Sequence, residues 1–250
     1  MLKKIVNAAM VLSVCLSIGY AKPLKECKSE RDKMRGCVEK KYYDNGQLQS
    51  EAPYNNGEIN GIWKGYYDSG ELFSKVPFEN GKENGVAKYY YASGKLKEEV
   101  PYENGKRNGV MKRYNGSGEF SNEVPYKNDK INGIWKWYYE SGQLETEMPY
   151  ENDKKNGVRK EYYESGKLRA EIPYENDKKK DVSKDYYESG QLKEERIYKN
   201  GKLFIYKKYN EQGELIISTE EINNILWNWE IVKGVRNDIL LSMWVWGEDK

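Results

Sequence analysis

Adjacent carboxylates occur at Glu98-Glu99 and Glu194-Glu195. Paired carboxylates are what glycoside cleavage requires, provided both face one substrate. Neighbouring residues of a strand project to opposite faces, so neither pair meets that condition in an extended segment. The acidic loops Glu151-Asn152-Asp153 and Glu175-Asn176-Asp177 offer oxygen ligands to calcium, but without the ligand density of a calcium site. The chain has no histidine, so the commonest general base near neutral pH and the commonest metal ligand are both missing. No phosphate-cradling glycine loop, nucleophile elbow or metal motif is present. The expectation is a non-enzymatic chain with no catalytic residue, no cofactor and no metal.

Three cysteines remain to be placed. The start of the chain has the form of a secretory signal, residues 1–21. Lys3 and Lys4 form a charged head, Ile5 to Ile18 an apolar run, and Gly19-Tyr20-Ala21 a small-x-small site with cleavage after Ala21. Cys15 leaves with it. Cys27 and Cys37 remain, and an even count in an exported chain points to a disulfide. Residues 22–37 then form an N-terminal cap closed by that bond. The expected location is the periplasm or cell envelope, or outside the cell.

Composition restricts the architecture. The hydrophobic fraction is 38% and the charged fraction 33%, too little apolar matter for one thick core. Yet 23 tyrosines are too many for a disordered chain. Lys+Arg (42) nearly balance Asp+Glu (40), and a neutral surface argues against nucleic acid as a partner.

The elements that must position these residues come from a repeat. Proline recurs every 24 residues from Pro53 to Pro173, and glycine keeps the same step from Gly46 to Gly190. In the unit Val86 to Gly109, a β-rich run reaches Tyr91, Ser93-Gly94 turns the chain, and Leu96 to Tyr102 returns. Asn104-Gly105 then starts the next reversal. Two strands and two turns per unit make a continuous antiparallel meander. The fold class is all-β: an elongated single-layer sheet of tandem hairpins, seven units and a degenerate eighth over residues 38–215, with small terminal caps.

The spacing also predicts a register. A two-residue Ser93-Gly94 turn sets Lys88 opposite Glu99 and Tyr91 opposite Leu96, and by the same arithmetic Lys136 opposite Glu147 and Lys160 opposite Glu171. A bulged turn would shift these pairs by one. Proline donates nothing to a ladder, so Pro101 and its equivalents belong near strand ends. In later units Asn-Gly becomes Asn128-Asp129, Asn152-Asp153 and Asn176-Asp177. Asp accepts positive φ less readily than Gly, so these turns should be weaker or of another type.

Residues 216–250 break the pattern. Ser218 and Glu221 have capping-box spacing, and Ile222, Ile225, Leu226 and Trp229 follow at helical intervals. With Trp227, Trp229, Trp244 and Trp246, the segment reads as a partly helical cap on the open end, or as a membrane or partner contact.

The unit Tyr-Tyr-x-Ser/Asn-Gly-x-Leu-x-x-Glu-x-Pro-Tyr-x-Asn-Gly/Asp-Lys-x-Asn-Gly resembles the MORN (membrane occupation and recognition nexus) repeat, over about residues 38 to 215. It is most similar to the bacterial variant, whose members are often assigned as antitoxins of toxin–antitoxin systems. The resemblance implies a single layer of β-hairpins, and a role in phospholipid binding, protein docking or dimerisation.

Comparing units locates candidate binding residues. Ile62, Val86, Val110, Ile134, Val158 and Val182 scarcely vary, and the lysines two places on do not vary at all, which suggests packing. The positions between and beyond them vary, which suggests drift or a tailored surface. Trp63, Tyr89, Trp135 and Trp137 fall there and are the candidate partner-binding residues, since aromatics are enriched in hot spots. The function expected is an exported scaffold that binds a protein partner, in the manner of an immunity protein. The alternative is an envelope module for phospholipid headgroups or cell-wall glycan.

Overall fold

A computed structural model describes residues 24–219. The signal segment with Ala21, and nearly all of the C-terminal cap, lie outside the described residues. The described chain is one antiparallel sheet of 22 strands with one short helix, α1 (Glu30–Arg35). Each returning strand pairs with the rising strand before it and with the rising strand of the next unit. Leu96–Glu103, for example, lies between Gly85–Tyr90 and Gly109–Tyr114.

The first turn is not the expected two-residue reversal. Tyr91 N–H donates to the Lys95 carbonyl at 2.9 Å and Gly94 N–H to the Tyr91 carbonyl at 2.8 Å. Gly94 has φ +79°, so Ala92-Ser93-Gly94 is a three-residue loop closed by a left-handed glycine. Tyr90, not Tyr91, therefore faces Leu96. A second irregularity between Tyr89 and Tyr90 shifts the register back. Lys88 faces Glu99, Lys136 faces Glu147 and Lys160 faces Glu171, as the charge pattern required. The two displacements cancel.

Each unit also has a third strand. Past the proline the returning strand pairs with a strand of only two residues, such as Lys106–Arg107. Proline therefore sits within the returning strand, at a corner. Pro101 accepts a hydrogen bond from Asn108 N–H at 3.0 Å. Gly109 beside it has φ +119°, and a Cβ there would lie 3.0 Å from the proline ring. Glycine adopts that conformation with that contact at no steric cost, and where Asp181 takes the position it does so at φ +53°. In the last unit Ile197 and Ile205 stand at the proline and glycine positions, and the strand runs unbroken from Lys202 to Tyr209. The corner thus goes with proline followed by a residue of positive φ, glycine in most units and Asp181 after Pro173.

The Asn-Asp turns keep the conformation of the Asn-Gly turns. Asn128 and Asp129 have φ +51° and +66°, against +53° and +80° for Asn104 and Gly105. Expectation and structure differ because the Asp carboxylate gains a partner. Asp129 Oδ1 accepts from Arg107 N–H of the preceding unit at 2.9 Å, Asp153 from Ile131 N–H at 2.7 Å, and Asp177 from Lys155 N–H at 2.9 Å. Binding between units offsets the cost of left-handed backbone.

Helix α1 substitutes for a missing preceding unit. The Lys33 carbonyl accepts Gly57 N–H at 3.2 Å, as Ile59 accepts Gly81 N–H at 2.9 Å one unit later. The Lys33 ammonium lies 4.6 Å over the Tyr54 ring, as Arg107 lies 4.1 Å over Tyr126. The Cys27–Cys37 disulfide ties this cap to the first strand, and Glu26 bridges Val38 in parallel. The first edge is thereby partly covered, which blunts an open template for pairing. At the other end Ser218 closes the last described strand, Leu215–Ser218, so the sheet continues a few residues past Leu215.

Candidate functional site

The two faces of the sheet differ, and their roles reverse the expectation. Ile62, Val86, Val110, Ile134 and Val158, read as packing residues, are 40–52% exposed. The positions read as a variable surface face inward: Ala87, Met111 and Ser183 are buried. Phe78, Tyr102 and Tyr126 stand two residues after Val76, Val100 and Val124, and Ile131 lies opposite Tyr126, so all share one face and pack on the cluster Val76, Ala87, Val100, Met111 and Val124. Their rings cover this face and make it a shared interior. Side chains there vary because neighbouring units fill one space jointly. A large Trp63 lies over Gly65, where a Cβ would come within 2.7 Å of the indole.

The four candidate aromatics all lie on this inner face, in two groups. Trp63 and Tyr89 pack against the buried cluster near its first units. Tyr89 meets Phe73 edge-on at 6.0 Å, and its phenol is pushed up to about 12, by burial first and the Tyr102 phenol next. Trp135 and Trp137 occupy one rising strand (Gly133–Tyr138) with rings stacked at 4.5 Å and 15° between planes. Trp135 also touches the cluster and tilts against Tyr150 at 5.7 Å. Its indole N–H is buried without a partner among the described residues.

Around the stacked pair lies an open recess of about 360 Å³, lined further by Glu145, Thr146, Met148, Tyr150, Lys155 and Arg159. Two cations border it. Arg159 pairs with Glu161 at 2.6 Å, a carboxylate also held by Arg169 at 2.7 Å, and Lys155 sits 5.4 Å over the Tyr174 ring. The recess therefore presents two flat aromatic surfaces, a phenol and charged rims. The sequence comparison found the tryptophans but missed Tyr150, Lys155 and Arg159, which lie on neighbouring strands and short strands.

The outer face carries a ladder of alternating charge from Lys40 to Lys207, one residue per strand, with Lys and Glu directly opposed at each step but two. The lysines called packing residues belong here. In most units the first tyrosine of the pair adds a hydrogen bond, as Tyr66 to Glu51 at 3.1 Å and Tyr162 to Glu147 at 3.2 Å. Burial opposes ionisation of Glu51, but Lys64 and Tyr66 outweigh it and hold the carboxyl below its usual value. The adjacent carboxylates separate as expected. Glu99 joins the ladder, and Glu98 pairs with Arg113 at 3.1 Å on the other face. The oxygens of the acidic loops are engaged by protein donors, Asp153 and Asp177 as above and Glu151 by Asn156 at 2.7 Å.

A single-layer sheet of hairpin repeats with an aromatic recess defines a repeat scaffold. Comparison with protein families identifies which. The MORN repeat variant matches residues 38–56, 59–80, 83–104, 131–152, 155–176 and 182–200, together just over half of the chain. The chain belongs to that family. The unmatched stretch between the third and fourth matches contains Asn115 and Phe120, where other units have tyrosine and leucine. A search of curated proteins found no match. Among solved structures, a chain of "Crystal Structure of TcdB2-TccC3-Cdc42" is 14% identical over 72% of this chain, with a TM-score of 0.20. This chain spans 12% of that one, and so low a score carries no argument.

Proposed function

We propose that the protein is an exported, non-enzymatic scaffold that holds a protein partner in the recess around Trp135 and Trp137. The stacked indoles beside Tyr150 carry this reading, because rigid aromatics bordered by Arg and Lys are the composition of interface hot spots. The disulfide between Cys27 and Cys37 supports export, since such bonds persist in oxidising compartments. An immunity or antitoxin-like role is the form this binding takes if the partner is a toxin met outside the cytoplasm.

Affinity capture from an envelope fraction tests it, with the chain from Lys22 onward as bait. Trp137→Ala is the informative variant, since Trp137 stacks on Trp135 but does not belong to the buried cluster. A partner retained by the native chain and lost by the variant, at unchanged circular dichroism, supports the recess. Equal retention removes it.

A further inference from the structure

The outer charge ladder has one break. Between Glu51 and Glu99 the opposed residues run Lys64, Lys75, Lys88, so a lysine stands where every other full unit has glutamate. Like charges directly opposite each other on a sheet destabilise it, and here there are two such steps. Lys64 and Lys88 direct their ammonium groups to the outer glutamates, at 3.1 Å from Glu51 and 3.0 Å from Glu99. Lys75 is exposed and makes no ion pair among the described residues. Tyr90 loses a partner as well. Its equivalents Tyr66 and Tyr114 donate to Glu51 and Glu99 at 3.1 and 3.3 Å, but at Tyr90 the acceptor position is Lys75.

We infer that Lys75, with Lys64, Lys88 and Tyr90, binds the carboxylate of an acidic side chain on a protein partner, which takes the place the glutamate holds in other units. Charge complementarity sets the occupant. Elsewhere each lysine of the ladder faces glutamate, so the face has one cationic point rather than the broad field that an anionic membrane requires. Beside the point lie Ile62 and Val86, 52% and 48% exposed and opposite Pro77 and Pro101. They would receive apolar residues flanking the acidic one in an extended segment. The site lies on the opposite face from Trp137, so it stands or falls apart from the aromatic recess.

The test uses the chain from Lys22 onward and a synthetic peptide alternating glutamate with valine. Its glutamine counterpart and phosphatidylserine vesicles are the other probes. The glutamate peptide should bind the native chain and lose roughly tenfold or more in affinity to Lys75→Glu. Trp137→Ala should bind it unchanged. Lys75→Glu should also melt higher than the native chain, because it completes the ladder and gives Tyr90 its acceptor. Lys75→Gln, which only removes the charge, should weaken binding if the charge-reversal variant fails to fold. Equal binding of the glutamate and glutamine peptides, equal binding to the Lys75 variants, or sedimentation with vesicles without peptide binding would each overturn the assignment. So would a Lys75→Glu chain that melts no higher.

Discussion

The Tyr67 hydroxyl donates to the main-chain carbonyl of Tyr90, one unit on, at 2.9 Å. The bond recurs from Tyr43 to Tyr66, from Tyr91 to Tyr114 and from Tyr139 to Tyr162, at 2.7, 2.8 and 2.7 Å. Except at Tyr90, the two tyrosines of a pair thus divide the work: the first holds a glutamate of the ladder, the second fastens its unit to the next. Each unit depends on its neighbours for such bonds, and stability becomes a sum of local terms.

Removing one fastening should weaken the array by about 1 kcal/mol, the usual net worth of such a bond. Tyr67→Phe keeps the ring and deletes the donor. Tyr90→Phe is the control, because its hydroxyl has no carboxylate opposite. Urea midpoints should fall for the first and stay put for the second. Equal midpoints would mean that the hydroxyl bond contributes nothing.

The corner glycines should not tolerate a side chain. Gly109→Ala places a Cβ 3.0 Å from Pro101 at φ +119°, and strain of that kind costs about 1–3 kcal/mol. Gly142→Ala is a milder case, with φ +82° and open space around it. Thermal melts should rank Gly109→Ala clearly below Gly142→Ala.

The Asp turns separate conformation from bonding. Asp129→Gly relieves the left-handed backbone but loses the bond to Arg107, whereas Asp129→Ala loses the bond and keeps the strain. Alanine should therefore be the less stable by about 1–2 kcal/mol. An alanine variant as stable as the glycine variant would show that positive φ costs nothing at this turn.

Alkaline pH should destabilise the sheet through its phenols. Tyr66 and Tyr89 are pushed up from 10.0 to about 12, by burial first and then by Glu51 beside Tyr66 and the Tyr102 phenol beside Tyr89. Tyr206 is pushed up to about 12 by burial, then by Glu194. A group whose folded value is raised contributes stability that is whole below the unfolded value and is lost as pH rises through the folded one. Melting temperature should thus hold to pH 10.0 and fall toward 12. Tyrosinate absorbance should rise late and together with loss of β-sheet circular dichroism; smooth ionisation at 10.0 with the sheet intact would contradict this.

Much of the architecture could be read from residue spacing. A period of 24, with glycine, proline and Asn-Gly at constant offsets, specifies hairpins that can only stack. Recurring Lys and Glu specified the register, because charges opposite one another must alternate in sign. They do so although the turn has three residues rather than two. Spacing could not show that a second bulge repairs the register, since a bulge leaves no residue type of its own at Tyr89 and Tyr90.

Local chemistry along the chain thus determined the strands, their order and their pairing. Which face became the interior was decided by packing across units. Both faces alternate polar and apolar residues, but large rings from several units meet on one of them. Trp63, Tyr89 and Trp135 lie against that shared core, and Val86 and Lys75 are left on the outside. The recess around Trp137 and the gap in the ladder exist only across neighbouring strands, where distances in sequence of a dozen residues and more become contacts.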